Sequence, residues 1–402
     1  MAKLKTYRVG ALCAGYGGIE LGLRNLLQTE LVWYSEIDQN ASRVMEKNFP
    51  GVPNLGDLTK IVGSPPVEFG DVDIVTAGFP CQPVSLAAAV SKKKDKETGE
   101  IQRFRKAHKD EEGRWLIEDV CKVAKEAGAK WLILENVPGL INWKPKGGRP
   151  QMAFEMVRKA LRDTNYSRVE WGTYRASDIG APHQRRRWFC LATCLDSEAL
   201  ETKHNHPIKR EVSNGKYGEY PYFGYTEYGK RINKSVTIPL PPTLEKLVTL
   251  PTPTAREHKD SGPKVRFERI SEKSGLTGVI MYKLCKEDEQ VSFKGWKAWR
   301  TNQQESESNK QSVPPDFTPV IKRWEHIVQR SAPNPLRGKK YGLLNPEFVE
   351  WMMGLPKGHV TSKQIALKPG PALKILGNGV VPQQAEYAIS DLIRRMDSRT
   401  HD

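Results

Sequence analysis

Residues 6–27 read Thr-Tyr-Arg-Val-Gly-Ala-Leu-Cys-Ala-Gly-Tyr-Gly-Gly-Ile-Glu-Leu-Gly-Leu-Arg-Asn-Leu-Leu. Thr6 to Leu12 has the composition of a short strand. Ile19 to Leu27 repeats its apolar residues at helical spacing. Between them stands Ala14-Gly15-Tyr16-Gly17-Gly18. A strand, a glycine turn and a helix in this order form the first unit of an α/β sheet, and glycines there let a ligand approach the backbone closely. The same glycines would serve a purely structural turn. No Lys-Ser/Thr pair follows them, which argues against a phosphate-gripping loop.

The pattern continues outward. Leu31 to Tyr34 reads as a second strand closing on Ser35-Glu36-Ile37-Asp38, and Asp38 is placed to cap a helix running to about Asn48. Val72–Ala77 and Trp131–Leu134 read as strands, with a helix around Trp115–Ala127 between them. A helix over 151–162 and strands over 168–175 and 187–193 follow. Strands alternating with helices predict a mostly parallel sheet. An acid at the end of the second strand can accept both hydroxyls of a ribose, so Glu36 gives the glycine turn more weight. Asp57, in Gly56-Asp57-Leu58, can accept from an adenine amino group. A glycine turn with two such acids suggests an adenosine-containing cofactor.

Val72–Ala77 runs into Gly78-Phe79-Pro80-Cys81-Gln82-Pro83. Two prolines stiffen this loop and present one cysteine at the carboxyl end of a strand, a position suited to a nucleophile. A buried structural cysteine would also satisfy the pattern. Trp131–Leu134 runs into Glu135-Asn136-Val137-Pro138, where the acid is either paired structurally or active in proton chemistry. His183-Gln184-Arg185-Arg186-Arg187 precedes the 187–193 strand, and its arginines suit phosphate contacts or internal ion pairs.

The net charge of +16 favours a polyanionic partner. Six cysteines are scattered without framework spacing, which suggests free thiols in a reducing compartment. Cys190 and Cys194 lie near His204 and His206, but their spacing suits zinc poorly and Cys190 reads as core. No metal is expected. No apolar run approaches membrane-spanning length and no signal peptide is read, so a cytoplasmic setting without membrane contact is expected. Residues 92–109 carry eight Lys/Arg against three Asp/Glu and read as an irregular, solvated loop. Residues 195–340 hold Pro-, Tyr- and Ser-rich stretches with few clear periods. Pro346–Met353 and Pro382–Met396 read as helices.

Taken in order, these pieces resemble the DNA cytosine-5 methyltransferase family. The matching stretches are Leu12–Gly18, Gly78–Gln82, Glu135–Val137, Ala181–Arg187, Leu344–Glu347 through Met353–Pro356, and Leu376–Pro382. The resemblance implies a Rossmann-like S-adenosylmethionine-dependent domain over residues 1–194. It implies a smaller, irregular target-recognition domain over 195–340, and a segment over 341–402 that returns to the first domain. It implies methyl transfer from S-adenosylmethionine to C5 of cytosine in a specific double-stranded DNA sequence. Cys81 would attack C6 of a flipped base, while Glu135, Arg185 and Arg187 hold the ring. Ala14, Gly15, Tyr16, Gly17, Gly18, Glu36, Ile37, Asp57, Pro80 and Asn378 would bind the cofactor. The 92–109 loop would close on DNA.

The chain departs from the family in three places. Cys13 stands at a usual Phe, so Ile37 is expected to take more of the packing on adenine; Ala11 stands at a common Asp and His183 at a usual Gln. A monomer in a bacterial or phage setting is expected, acting in restriction–modification or self-protection of DNA. An RNA methyltransferase of the same fold and a catalytically inactive DNA-binding relative are the alternatives.

Overall fold

The computed structural model describes residues 4–63, 70, 72–80, 91–94, 101–104, 116–142, 152–195, 197–203, 217–225, 231–239, 249–254, 276, 317–337 and 343–398. Its centre is a six-stranded sheet in the order β2-β1-β3-β6-β8-β7. The strands are β1 (Tyr7–Leu12), β2 (Thr29–Ser35), β3 (Ile74–Ala77), β6 (Trp131–Asn136), β7 (Arg168–Arg175) and β8 (Arg186–Thr193). β2, β1, β3 and β6 run parallel, whereas β8 and β7 pair antiparallel at one side. The mostly parallel sheet read from the sequence therefore gives way at this edge. A parallel return needs a crossover of about a dozen residues or more. Only the 3₁₀ turn Ala176–Ile179 and a few following residues join β7 to β8.

Helices cover both faces. α1 (Gly18–Leu26) and α10 (Pro382–Ser398) lie on one, packing Ile19, Leu23, Ala388, Ile389 and Leu392 against Val9, Ile74, Ile133 and Leu191. α3 (Leu58–Ile61), α4 (Leu116–Glu126) and α6 (Met152–Asp163) lie on the other, packing Val120, Val123, Val157 and Leu161 against Val75, Leu132, Leu134 and Cys190. Neighbouring residues such as Ile74 and Val75, or Leu132 and Ile133, serve opposite faces, as the two-residue period of a strand requires. Each such side chain contributes about 1.5–3 kcal/mol when fully buried. A third cluster joins α2 (Gln39–Asn48) to α7 (Thr318–Val328), α8 (Pro346–Met352) and α9 (Pro369–Asn378). A short helix, α5 (Gly139–Asn142), follows β6.

Four strands form two antiparallel hairpins outside the sheet, β4 (Ser91–Lys94) with β5 (Ile101–Phe104) and β9 (Tyr217–Tyr225) with β10 (Arg231–Pro239). Both fall where the sequence read as irregular, because lysine-rich or Gly- and Pro-interrupted stretches hide the apolar alternation that marks a strand. α7 also lies in that stretch. Its buried Val320, Ile321, Trp324, Ile327 and Val328 do follow helical spacing, after a proline in its first turn. β11 (Leu336–Arg337) pairs with β12 (Leu343–Leu344). Among the described residues, no helix is long and apolar enough to cross a membrane.

β1 has β2 on one side and β3 on the other. The chain leaves it by α1 in one direction and returns by α3 in the other. The crevice at the carboxyl ends of β1 and β3 is therefore the switch point where open α/β sheets bind ligands.

Candidate active site

The glycine turn leaves β1 in a left-handed path, with φ of 52° at Cys13, 59° at Gly15 and 79° at Gly17. Glycine adopts such angles without the steric cost that a Cβ brings. Gly17 N–H donates to Ala14 O at 2.9 Å and opens α1. Glu36, at the end of β2, accepts from Gly15 N–H through Oε2 and from Asp38 N–H through Oε1, both at 2.8 Å. Burial holds its carboxyl above the usual range, and these two N–H groups pull it back. Asp38 caps α2, accepting from the N–H groups of Asn40 and Ala41.

Asp57 caps α3 and is half-buried. Its Oδ1 accepts from Thr59 N–H at 3.0 Å and Oγ1 at 2.8 Å, leaving Oδ2 without a hydrogen bond among the described residues. The Cys13 thiol is pushed up to about 12, first by burial and then by the charges of Glu36 and Asp57. Ile37 is 73% exposed. One wall of the crevice thus carries two acids, a left-handed turn and an uncovered apolar side chain.

Asn54 was not singled out by the sequence. Its Oδ1 accepts from Glu36 N–H at 3.1 Å and Gly56 N–H at 3.0 Å, and its Nδ2 donates to Glu36 O at 3.0 Å. This one amide fixes the spacing between the segments that carry Glu36 and Asp57. Asn-Leu-Gly-Asp has the look of an ordinary turn, so no signal marked it.

The other wall comes from β3, β6 and β8. Glu135 ends β6 almost fully buried, and Arg187 Nε pairs with its Oε1 at 2.9 Å. Burial raises the Glu135 carboxyl above its ordinary value, while Arg187 and then Arg185 oppose that shift. Asn136 is buried and donates from Nδ2 to Phe79 O at 3.1 Å. The strand end bearing Glu135 therefore holds the turn that leads to Cys81. A Cβ on Gly78 would lie 3.6 Å from Glu135 Oε2, so this turn runs directly against the carboxylate. Pro80 is exposed. Cys81 itself lies outside the described residues, as do Gln82 and Pro83.

The His183–Arg187 stretch alternates inward and outward as a strand does: His183, Arg185 and Arg187 point in, while Gln184 and Arg186 are exposed. Arg187 meets Glu135. Arg185 does not share that site. Its φ is 30°, and its guanidinium is buried against main-chain carbonyls. Nη1 donates to Pro253 O at 2.9 Å, and Nη2 donates to Gly377 O at 3.0 Å and to Gly379 O. Burial, then the like charge of Arg187, lowers its pKa to about 9. His183 Nε2 bonds Met352 O at 3.0 Å, and Nδ1 has no hydrogen-bond partner among the described residues. Burial is the first cause that lowers His183 to about 3.

Asn378 ends α9 and is exposed, flanked by the two glycines whose carbonyls Arg185 holds. Cys190 is buried in β8 and Cys194 half-buried, while His204 and His206 lie outside the described residues. Among the described residues, no cluster of three or more His, Cys, Asp or Glu could hold a metal ion.

Residues 7–394 match the C-5 cytosine-specific DNA methylase family. A type II methyltransferase of Paramecium bursaria Chlorella virus IL3A is 33% identical over 196 residues, which is 49% of this chain and 46% of that protein. One from Bacillus subtilis is 34% identical over 176 residues, or 44% of this chain and 36% of that protein. The chain thus spans less than half the length of these relatives. The crystal structure of the S. pombe Dnmt2 methyltransferase superposes with a TM-score of 0.48 at 14% identity, covering 97% of this chain and 99% of that one.

Proposed function

This chain belongs to the C-5 cytosine-specific DNA methylase family, and on that premise we propose that it methylates C5 of cytosine at a specific sequence in double-stranded DNA. The observation that carries the reading is the Glu135–Arg187 pair set against the Gly78–Phe79 turn. This pair lies on the same sheet edge as the glycine turn and Glu36.

The first wall fits S-adenosylmethionine. Glu36 has its acceptors oriented by backbone N–H groups, Asp57 keeps one carboxylate oxygen available, and Ile37 offers apolar surface to an adenine. Ala14–Gly18, Pro80 and Asn378 complete the proposed set of contacts. When bound, S-adenosylmethionine supplies an electrophilic methyl group.

Cys81, together with the residues of the second wall, supplies the rest. The Cys81 thiolate adds to C6 and makes C5 nucleophilic, and loss of the C5 proton then expels the thiolate. A carboxyl raised by burial, as Glu135 is, holds a proton more readily than an ordinary glutamate. That suits it to contact N3 and the exocyclic amine of the ring. Arg187 orients this carboxyl and lies beside the ring's carbonyl. A base inside a duplex cannot reach this edge, so the target is flipped out.

We assign target recognition to residues 195–340, which carry 26 Lys/Arg against 18 Asp/Glu. We assign completion of the cofactor wall to 341–402. The type II methyltransferases it resembles support a role in restriction–modification or DNA self-protection.

Bisulfite sequencing of DNA from cells expressing the protein tests the reading. Protected cytosines in one sequence context are expected, and Cys81→Ser should abolish them. Conversion of cytosines in every context overturns the activity. Protection that survives Cys81→Ser overturns the nucleophile.

A further inference from the structure

Tyr16 stands in the middle of the glycine turn, yet its side chain is 1% exposed. Its hydroxyl donates to Val380 O at 2.6 Å. Its carbonyl lies 2.7 Å from His359 Nε2, and a carbonyl only accepts, so the imidazole carries its proton on Nε2. The two rings meet edge to face, with centroids 6.0 Å apart. One residue of the turn is therefore gripped at both its main chain and its side chain by residues more than 340 positions away.

His359 is itself immobilised. Its own carbonyl accepts from Asn48 Nδ2 at 2.8 Å. Its neighbours are tied to Glu350, a buried carboxylate that accepts from Gly358 N–H at 2.7 Å, Val360 N–H at 2.8 Å and Thr361 N–H at 2.9 Å. Burial lowers His359 to about 4, which keeps the imidazole neutral and its Nε2–H fixed as a donor. The imidazole is a rigid donor built on a rigid loop.

A turn of small residues, three of them at positive φ, loses much conformational freedom when it takes one shape. Gly15 is fixed by Glu36 and Gly17 by Ala14. Among the described residues, the Tyr16–Gly17 peptide is held at its N–H by Ala14 O and at its carbonyl by His359, and the Tyr16 ring is held through its hydroxyl by Val380.

We propose that His359 is a positioning residue for the cofactor turn: its Nε2–H holds the Tyr16 carbonyl and, with the Tyr16 hydroxyl on Val380, sets the backbone path that receives an adenosine-containing methyl donor. The inference rests on the reading of that wall given above. It touches neither the donor nor the base, so it should act on donor affinity and not on the chemical step. Preorganisation of this kind strengthens binding by removing an ordering cost.

The test is calorimetric binding of S-adenosylhomocysteine to the full chain, with steady-state methyl transfer alongside. Loss of one hydrogen bond to a buried carbonyl corresponds to roughly a tenfold change in a binding constant. His359→Leu should raise the dissociation constant and the donor KM by about tenfold and leave kcat at saturating donor within about twofold. His359→Gln places an amide donor near Nε2 and should recover most of the loss. Tyr16→Phe keeps the ring and should raise the dissociation constant by about fivefold.

His359→Leu that folds and binds as tightly as the unaltered protein overturns the inference, and so does a fall in kcat at unchanged KM. If His359→Leu does not fold, Tyr16→Phe decides, and undiminished affinity there overturns it. An unaltered protein that binds neither S-adenosylmethionine nor S-adenosylhomocysteine overturns the parent reading as well. Binding by the unaltered protein together with equal binding by the variants overturns this inference alone.

Discussion

Arg187→Leu should destabilise the protein in a way that grows with pH. The Arg187 and Glu135 side chains are 14% and 9% exposed and meet at 2.9 Å. Removing one partner of a buried pair costs about 3–5 kcal/mol, because a charge is left without compensation. Arg185 also opposes the shift of Glu135, so the lower end, about 3 kcal/mol at pH 8, is expected. The sign of the pH effect follows from Glu135. Its carboxyl already sits above the ordinary range, and loss of Arg187 raises it further. A carboxyl with a higher pKa folded than unfolded contributes its full stability below the unfolded value of about 4.3. That contribution is lost as pH rises through the folded value, at up to about 1.4 kcal/mol per pH unit. The deficit of Arg187→Leu should therefore be small at pH 5 and largest near pH 8. Adding Glu135→Gln removes the charge and should cut the deficit to about 1 kcal/mol at every pH. Urea unfolding followed by tryptophan fluorescence measures the unaltered protein and the three variants of the cycle. A deficit that is equal at pH 5.5 and pH 8 and is not relieved by Glu135→Gln would refute the pairing argument.

Glu36→Gln keeps the size of the side chain but replaces one acceptor with a donor facing a backbone N–H, and should weaken S-adenosylhomocysteine binding about tenfold by calorimetry. Gly379→Ala places a methyl group inside the ring of Tyr16, a buried side chain fixed at its hydroxyl. It should lower stability by about 1–3 kcal/mol in urea, and by less when Tyr16→Leu makes room. His183 is near 3 when folded and about 6.5 when unfolded, so its contribution is full above pH 6.5 and falls as the pH drops towards 3. His183→Gln should flatten the loss of stability between pH 6.5 and pH 4, leaving the part due to His359, and a slope identical to that of the unaltered protein would count against this account.

Local rules carried the sequence reading a long way. The strand–turn–helix unit at Tyr7–Leu26, the Asp38 cap and the strands bearing Glu135 and Arg187 were all legible, because each depends on neighbours within a few residues. The Glu135–Arg187 contact was half legible: an ion pair was one reading of each residue, but the adjacency of β6 and β8, with β7 outside them, was not. Arg185 was not legible in the same way. Two positions apart in sequence, Arg185 and Arg187 look alike, and only the partners separate them. Those of Arg185 are backbone carbonyls, which every residue possesses, at Pro253, Gly377 and Gly379. His359 escaped notice for the same reason, since its partner is a main-chain oxygen 343 residues away. Ile37 was singled out only through the family resemblance, as a surface for adenine; the structure leaves it 73% exposed.

The turn from Gly377 to Val380 is held from two directions. Arg185 grips the carbonyls on either side of Asn378, and the Tyr16 hydroxyl grips Val380. Arg185 lies two residues before Arg187, which holds Glu135 on the proposed base side, while Tyr16 belongs to the glycine turn on the proposed donor side. A shift of β8 that moved Arg187 would carry Arg185 with it and so pull on the peptides beside Asn378. A shift of the glycine turn would reach the same peptides through Tyr16. The two walls come from residues 13–57 and 78–187, yet they share one short segment near Asn378, far along the sequence, as a common support. Packed protein transmits small displacements of such a support instead of absorbing them. Substitutions at Arg185 should therefore alter donor affinity and base handling together, whereas those at Glu36 or Glu135 should each act on one wall.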